Sequence, residues 1–352
     1  MLRQYRQTLV KQLHQGTDLL RELTPVQLAG GLIQPEDVTM QYTTLGRTGL
    51  QVSAMALGSG GSSQLGRKTG KSSKQSRALV RRAYELGVNF FDSAHDYKNE
   101  AIIGAALKGI PRETFVLSSK CRSHQNTIPV DPATVRARLE QSLRDLKTDY
   151  IDIYHLASVQ IGDYQYVVNE LVPVLLQLRE EGKIRFLGIT EKFDTDTQHR
   201  MLSRALQDNV WDVVMVGFNF LNQTARHVVL PAAQQKRVGV MNMFAVRRSL
   251  SSLQRLQEAL NQLAQQGVID TGYLEKNNPL DFLISPVGAT SLTDAAYRYC
   301  HHEPGVHTVM FGTGSLEHLE SNIVSILRPP LPVQDVERLN RLFAQVTQFS
   351  GN

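Results

Sequence analysis

Eight times along the chain a short apolar run of strand character gives way to a segment of helical period. The runs are VSAMALG (52–58), VNFFD (88–92), FVLSSK (115–120), YIDIYHLA (150–157), IRFLGIT (184–190), VVMVGF (213–218), VGVMNMF (238–244) and HTVMFG (307–312). In the segment 131–146, Asp131 is placed to cap a helix and Pro132 suits its first turn. Val135, Leu139, Leu143 and Leu146 then share one face. Another helix carries Leu79, Ala83 and Leu86 and stops at Gly87. Strands that alternate with helices pair in parallel, because a parallel neighbour needs a crossover connection. Eight such units in about 280 residues predict an α/β chain folded as a (β/α)8 TIM barrel rather than an open doubly wound sheet. The first strand-to-helix turn, GSGGSSQLG, lacks both the immediate helix and the spaced acid of a dinucleotide-binding sheet.

Two segments stand outside this rhythm. Residues 1–39 space Leu2, Leu9, Leu13, Leu20 and Leu23 among polar residues, which predicts a short helical N-terminal extension ahead of a barrel domain spanning 40–352. A docked amphipathic helix is preferred there to a transit peptide. YTTLGRTGLQV then predicts an N-terminal β-hairpin turning at Gly46 and Gly49. The long connection 266–292 before the eighth strand is expected to be an active-site loop or insertion.

Of the 352 residues, 41 % are apolar and 20 % charged, enough for a large core and too few charges for disorder. No apolar run approaches the roughly 20 residues that cross a bilayer. The two cysteines, Cys121 and Cys300, build no disulfide framework. These features predict a soluble, cytoplasmic protein that uses neither membrane nor nucleic acid, although the net charge of +5 is compatible with anionic ligands. No His, Cys or carboxylate spacing suits a metal, including the adjacent His301 and His302.

Chemistry in such a barrel is confined to the C-terminal ends of the strands. Asp92 ends the second strand, Lys120 ends the third, and Tyr97 lies in the loop between. Neighbouring strands are about 4.8 Å apart, so these three side chains can meet. A phenol has a pKa of about 10, and a nearby ammonium favours its phenolate. Held by Asp92, Lys120 would make Tyr97 a usable general acid. An ordinary surface ion pair beside a half-buried ring fits the same spacing, as does a Schiff-base lysine.

The chain also resembles the aldo-keto reductase family from Gln41 to Arg328. The resemblance rests on YTTLGRTGLQVS, GVNFFDSAHDYKNEAIIGAAL, VLSSK, DLKTDYIDIY, LREEGKIRFLGIT and FGTGSLEHLESNI. It implies a barrel that binds NADP(H) at its C-terminal mouth and moves hydride between nicotinamide and a small carbonyl or alcohol: an aldehyde, a ketone or a sugar-like substrate. Asp92, Tyr97 and Lys120 match three of the family's four catalytic residues. The fourth is a histidine whose position holds Ala157, with His155 two residues earlier. Two residues of strand span about 6.6 Å, so His155 substitutes only if the strand shifts or the substrate sits deeper. It is kept as a fourth catalytic candidate, and its alternative is a group lining the barrel below the site.

The resemblance further implies cofactor contacts at Gly58, Ser59, Thr190, Glu191, Met215, Phe244, Gly312, Thr313, Ser315, His318 and Asn322. Several depart from the family pattern. Glu191 lacks the donor of the usual Asn, Met215 replaces a Gln, and His318 stands where an Arg commonly meets the 2′-phosphate. NADP(H) is the expected cofactor, with NAD(H) as the alternative. Gly312, Thr313 and Ser315 precede a helix whose N-terminus suits a phosphate. Trp211, Phe218 and Phe220 are assigned to the pocket wall or the core, and Asn219 to a nearby loop. Arg67, Lys68, Lys71 and Lys74 are assigned to a solvated loop, and Cys121 to a buried structural thiol. The expected activity is an NAD(P)(H)-dependent oxidoreductase. Its rival is a nicotinamide-binding regulatory module of the same fold with weak or no turnover.

Overall fold

The computed structural model describes residues 38–125, 128–270 and 280–352. Apart from its last two positions, the helical extension expected for residues 1–39 lies outside the described residues. All eight expected runs contain strands, and these close into one barrel. In chain order they are β1 (Met55–Gly58), β2 (Phe90–Asp92), β3 (Val116–Arg122), β4 (Ile151–Val159), β5 (Ile184–Glu191), β6 (Val213–Gly217), β7 (Gly239–Met243) and β8 (Thr308–Phe311). Every strand is parallel to its neighbours, and β8 returns to β1 with Val309 opposite Met55.

Two boundaries differ from expectation. The run 52–58 divides at Ala54: Gln51–Ser53 pairs antiparallel with Tyr42–Thr44, and only Met55–Gly58 enters the barrel. The change of direction is held by Ser53 Oγ, which donates to the Met55 carbonyl at 2.6 Å. β4 runs on to Val159 through an irregular register around Ser158, whose φ is 58°.

Side chains alternate along each strand, so one parity fills the barrel and the other faces the helices. Ala56, Phe90, Val116, Ile153, Val213, Met215 and Met241 form the inner cluster, and Leu45, Leu50 and Val52 of the hairpin close its lower end. Gly46 lets the hairpin approach, since a Cβ there would lie 2.4 Å from the Gly239 nitrogen. Arg47 secures the plug by donating to Asp212 at 3.1 Å and to the Trp211 carbonyl at 2.8 Å. With the lower end of the barrel plugged by the hairpin, the interior opens at the upper end.

The helices form as their sequence directs. Asp131 accepts from Thr134 N at the start of Pro132–Leu146, and Val135, Leu139 and Leu146 are buried against the strands. Ser72 and Gln75 cap Ser73–Glu85 reciprocally, and Gly87 ends its turn with a φ of 90°. Trp211, Phe218 and Phe220 belong to this outer core. Among the described residues no helix is long and apolar enough to cross a membrane, and no cluster of His, Cys, Asp or Glu could hold a metal ion.

Candidate active site

The C-terminal ends of the strands open into a cavity of about 1920 Å³. Asp92, Tyr97 and Lys120 all line it. Strand pairing places Asp92 opposite Ser118, and Lys120 stands two residues further up the same strand on the same side. The amine reaches back and donates to Asp92 Oδ2 at 2.5 Å and to the Ser93 carbonyl at 2.7 Å. Ser118 Oγ donates to the other carboxylate oxygen at 2.9 Å. Tyr97 is half-buried, and its ring centroid lies 5.3 Å from Lys120 Nζ.

Burial works against charge on Lys120, but Asp92, Tyr97 and Glu100 outweigh it and hold the amine above its ordinary pKa. Burial likewise raises the Asp92 carboxyl, with Lys120 and Ser118 opposing it. The geometry favours the fully charged pair, because both carboxylate oxygens accept and the amine has a carbonyl as well as the carboxylate.

His155 stands opposite Lys120 in the β3–β4 register, but its side chain lies below the cavity floor and has no exposure. Its ring occupies space that Gly188 leaves open, since a Cβ on Gly188 would fall 2.3 Å from the ring. Nδ1 lies 3.2 Å from Ser118 Oγ, and Nε2 has no hydrogen-bond partner among the described residues. Burial, with the Lys120 charge, depresses its pKa to about 3, so the ring is neutral. Ala157, one step higher on β4, is in the cavity wall.

Of the expected cofactor contacts, Gly58, Thr190, Glu191, Met215, Phe244, Gly312, Thr313, His318 and Asn322 line the cavity. Ser59 and Ser315 do not. Ser59 is fully buried and its hydroxyl donates to Ser93 Oγ, turned away from the opening. Ser315 caps the helix Leu316–Leu327 by accepting from His318 N. Glu191 touches the wall, but its carboxylate is engaged behind it, accepting from Gly217 N at 2.8 Å and from His199 Nδ1 at 2.9 Å. Asn219 is a buried brace that donates to the Phe244 and Ser350 carbonyls. Cys121 is buried on the outer side of β3, where desolvation raises its thiol pKa to about 11. Arg67, Lys68, Lys71 and Lys74 are exposed and lie outside the cavity wall.

Sequence reading missed several contributors. Ser93 and Ser118 bind the ion pair, yet both are small residues next to the conspicuous ones. Arg247, Arg248, Arg255 and Arg328 line the cavity from distant loops and helix ends. Arg247 packs over the Phe244 ring at 4.4 Å and donates to Asn352, which the chain end brings to the mouth. The apolar side chains of Met215, Met243, Phe244 and Phe311 share the wall with these arginines and with the start of a helix. Such a donor set suits an elongated ligand with a flat ring at one end and phosphates at the other.

Comparison with known proteins agrees with the barrel. The family model described as the aldo/keto reductase family matches residues 56–344. L-galactose dehydrogenase from Arabidopsis thaliana is 28 % identical over 316 residues, covering 87 % of this chain and 94 % of the plant protein. NADH-specific methylglyoxal reductase from Escherichia coli is 29 % identical over 175 residues, 45 % of this chain and 52 % of that protein. The fold is that of an aldo-keto reductase from Bacillus halodurans in its holo form, with a TM-score of 0.66 at 24 % identity over 86 % of this chain and 96 % of the other.

Proposed function

As the chain belongs to the aldo/keto reductase family, we propose that it is an NAD(P)(H)-dependent oxidoreductase acting on a small carbonyl or alcohol, with Tyr97 as its general acid and base. The observation that carries this reading is the buried Asp92–Lys120 pair with the Tyr97 ring beside it at the cavity wall. Held in this cavity, a reduced nicotinamide would supply the hydride for the carbonyl carbon. Tyr97 gives its phenolic proton to the carbonyl oxygen, and the Lys120 ammonium stabilises the phenolate left behind. Asp92 and the Ser93 carbonyl keep that ammonium charged and aimed. The same hydrogen bonds argue against a Schiff base, which needs a neutral, unencumbered amine.

Met215, Met243 and Phe244 are suited to hold the flat ring. Gly312, Thr313 and the first turn of Leu316–Leu327 suit the phosphates, and the nearby arginines add positive charge. NADP(H) is the cofactor favoured by that charge, with NAD(H) as the alternative. Two relatives, an L-galactose dehydrogenase and a methylglyoxal reductase, support a small carbonyl or sugar-like substrate.

Ala157 in the wall, at the position of the family histidine, is the observation behind a second reading, a nicotinamide-binding module of the same fold with weak turnover. One pair of measurements separates the two. NADPH binding is followed by fluorescence quenching, and single-turnover oxidation of NADPH is followed with a reactive aldehyde. The oxidoreductase reading expects binding in both wild type and Tyr97→Phe, with the oxidation rate falling about 10²-fold or more in the variant. Binding without oxidation in the wild type overturns it in favour of the regulatory module.

A further inference from the structure

Gly60 lies so close to the Tyr97 ring that a side chain there would have to push the ring aside. A Cβ built there would lie 2.5 Å from Tyr97 Cε2, 2.6 Å from Cζ and 2.9 Å from the phenolic oxygen. Relieving the contact to an ordinary carbon–carbon separation of about 3.5 Å would displace the phenol by about 1 Å. Gly60 has no positive φ, so its lack of a side chain serves space rather than backbone conformation.

The peptide that delivers Gly60 is held from beneath. Asn99 Nδ2 donates to the Ser59 carbonyl at 2.6 Å, Ser59 Oγ donates to Ser93 Oγ at 2.9 Å, and Ser93 Oγ donates to Asn99 Oδ1 at 3.2 Å. The three hydrogen bonds form a closed ring among side chains that are all fully buried. This ring meets the proton-transfer site at both ends. The Ser59 carbonyl belongs to the peptide leading into Gly60. The Ser93 carbonyl is the second acceptor for Lys120 Nζ. Asn99 also lies two residues beyond Tyr97, so the ring ties the loop after β1 to the loop that carries the phenol.

We propose that Asn99, Ser59 and Ser93 are positioning residues that press Gly60 against Tyr97 and so fix the phenol relative to Lys120. The inference rests on Tyr97 being the acid, because fixing that ring matters to turnover only if it transfers the proton. A buried polar ring can also exist simply to join two loops, and in that case the phenol's position would not depend on it.

The test uses the full chain, as wild type, Gly60→Ala, Asn99→Ala and Tyr97→Phe. Each is labelled with 3-fluorotyrosine, and the Tyr97 resonance is assigned by its loss in Tyr97→Phe. Gly60→Ala and Asn99→Ala are expected to shift or broaden that resonance in the ligand-free protein. They are also expected to lower kcat by about 10²-fold, the scale of a 1 Å misplacement, while the NADPH Kd changes by less than about threefold. An unmoved resonance with undiminished kcat in Gly60→Ala overturns the inference. A Gly60→Ala chain without a cooperative melt overturns it too, since a role confined to the phenol leaves the barrel intact. If Tyr97→Phe turns over normally, the acid assignment falls, and the resonance alone still decides whether the ring positions the phenol. If Tyr97→Phe is inactive and Gly60→Ala is not, only the positioning inference falls.

Discussion

The Glu191 carboxylate receives His199 Nδ1 at 2.9 Å on both of its oxygens, and neither side chain has any exposure. His199 stacks flat on Phe193 at 5.2 Å, Phe193 meets the edge of Phe244 at 5.2 Å, and Arg247 covers the far side of Phe244. Glu191 therefore supports the wall of the cavity from behind. Its carboxylate is spent on this support and is not free to meet a nicotinamide amide.

Removing one partner of a buried pair strands the other. Glu191→Ala should lower stability by about 3–5 kcal/mol in urea unfolding. Glu191→Gln keeps an acceptor for Gly217 N and should lose less. NADPH affinity in Glu191→Gln should change by under about threefold, less than the loss of a charged hydrogen bond would cause. A larger loss of affinity, with stability preserved, would mean that Glu191 faces the cofactor after all.

Ala157 presents a methyl group to the cavity at the position matched to the family histidine. Ala157→His should raise kcat for aldehyde reduction by about 10²-fold, the lower end of what an acid–base group supplies, with NADPH Kd little altered. An unchanged kcat would show that the site orients its carbonyl by other means.

His155 makes the protein acid-sensitive. Its pKa is depressed to about 3 in the fold against an ordinary 6.5, so between these values the unfolded chain binds a proton that the folded one refuses. Above pH 6.5 the group has no effect on stability. As the pH falls below it, stability is lost at about 1.4 kcal/mol per pH unit from this residue. In urea titrations from pH 6.5 to 4.5, His155→Gln should show a slope shallower by that amount. Equal slopes would show that the buried ring takes up its proton without cost.

Arg255 borders the cavity, and its guanidinium donates to Ser251 Oγ at 3.1 Å. If it meets a 2′-phosphate in place of the residue that His318 supplants, Arg255→Ala should weaken NADPH binding by about tenfold and NADH binding by less than about threefold. Equal losses for both cofactors would remove Arg255 from that role.

The proposed catalytic centre was readable in part for a simple reason. Asp92 and Lys120 each end a strand-like run, and in a closed parallel barrel the strand ends converge, so linear position already implied proximity. The level of a side chain along the barrel was harder to read. His155 and Ala157 share one parity, and only the observed register with β3, together with the space above Gly188, puts the ring under the floor and the alanine in the wall. The family resemblance implies cofactor contacts at Ser59 and Glu191, but it carries no information about their buried partners. Ser59 instead donates to Ser93 in the loop after β2, and the Glu191 carboxylate is engaged by His199 and by Gly217 N of β6.

Hydrophobic period and punctuation, taken by themselves, determined the eight strand–helix units, their closure into a barrel and the hairpin ahead of them, because these depend on local periodicity and on burying one face of each element. Tertiary structure alone decided which polar groups remain free for chemistry. A hydroxyl or carboxylate is available only if no buried donor or acceptor has claimed it, and which groups come within reach depends on how the folded strands and loops meet.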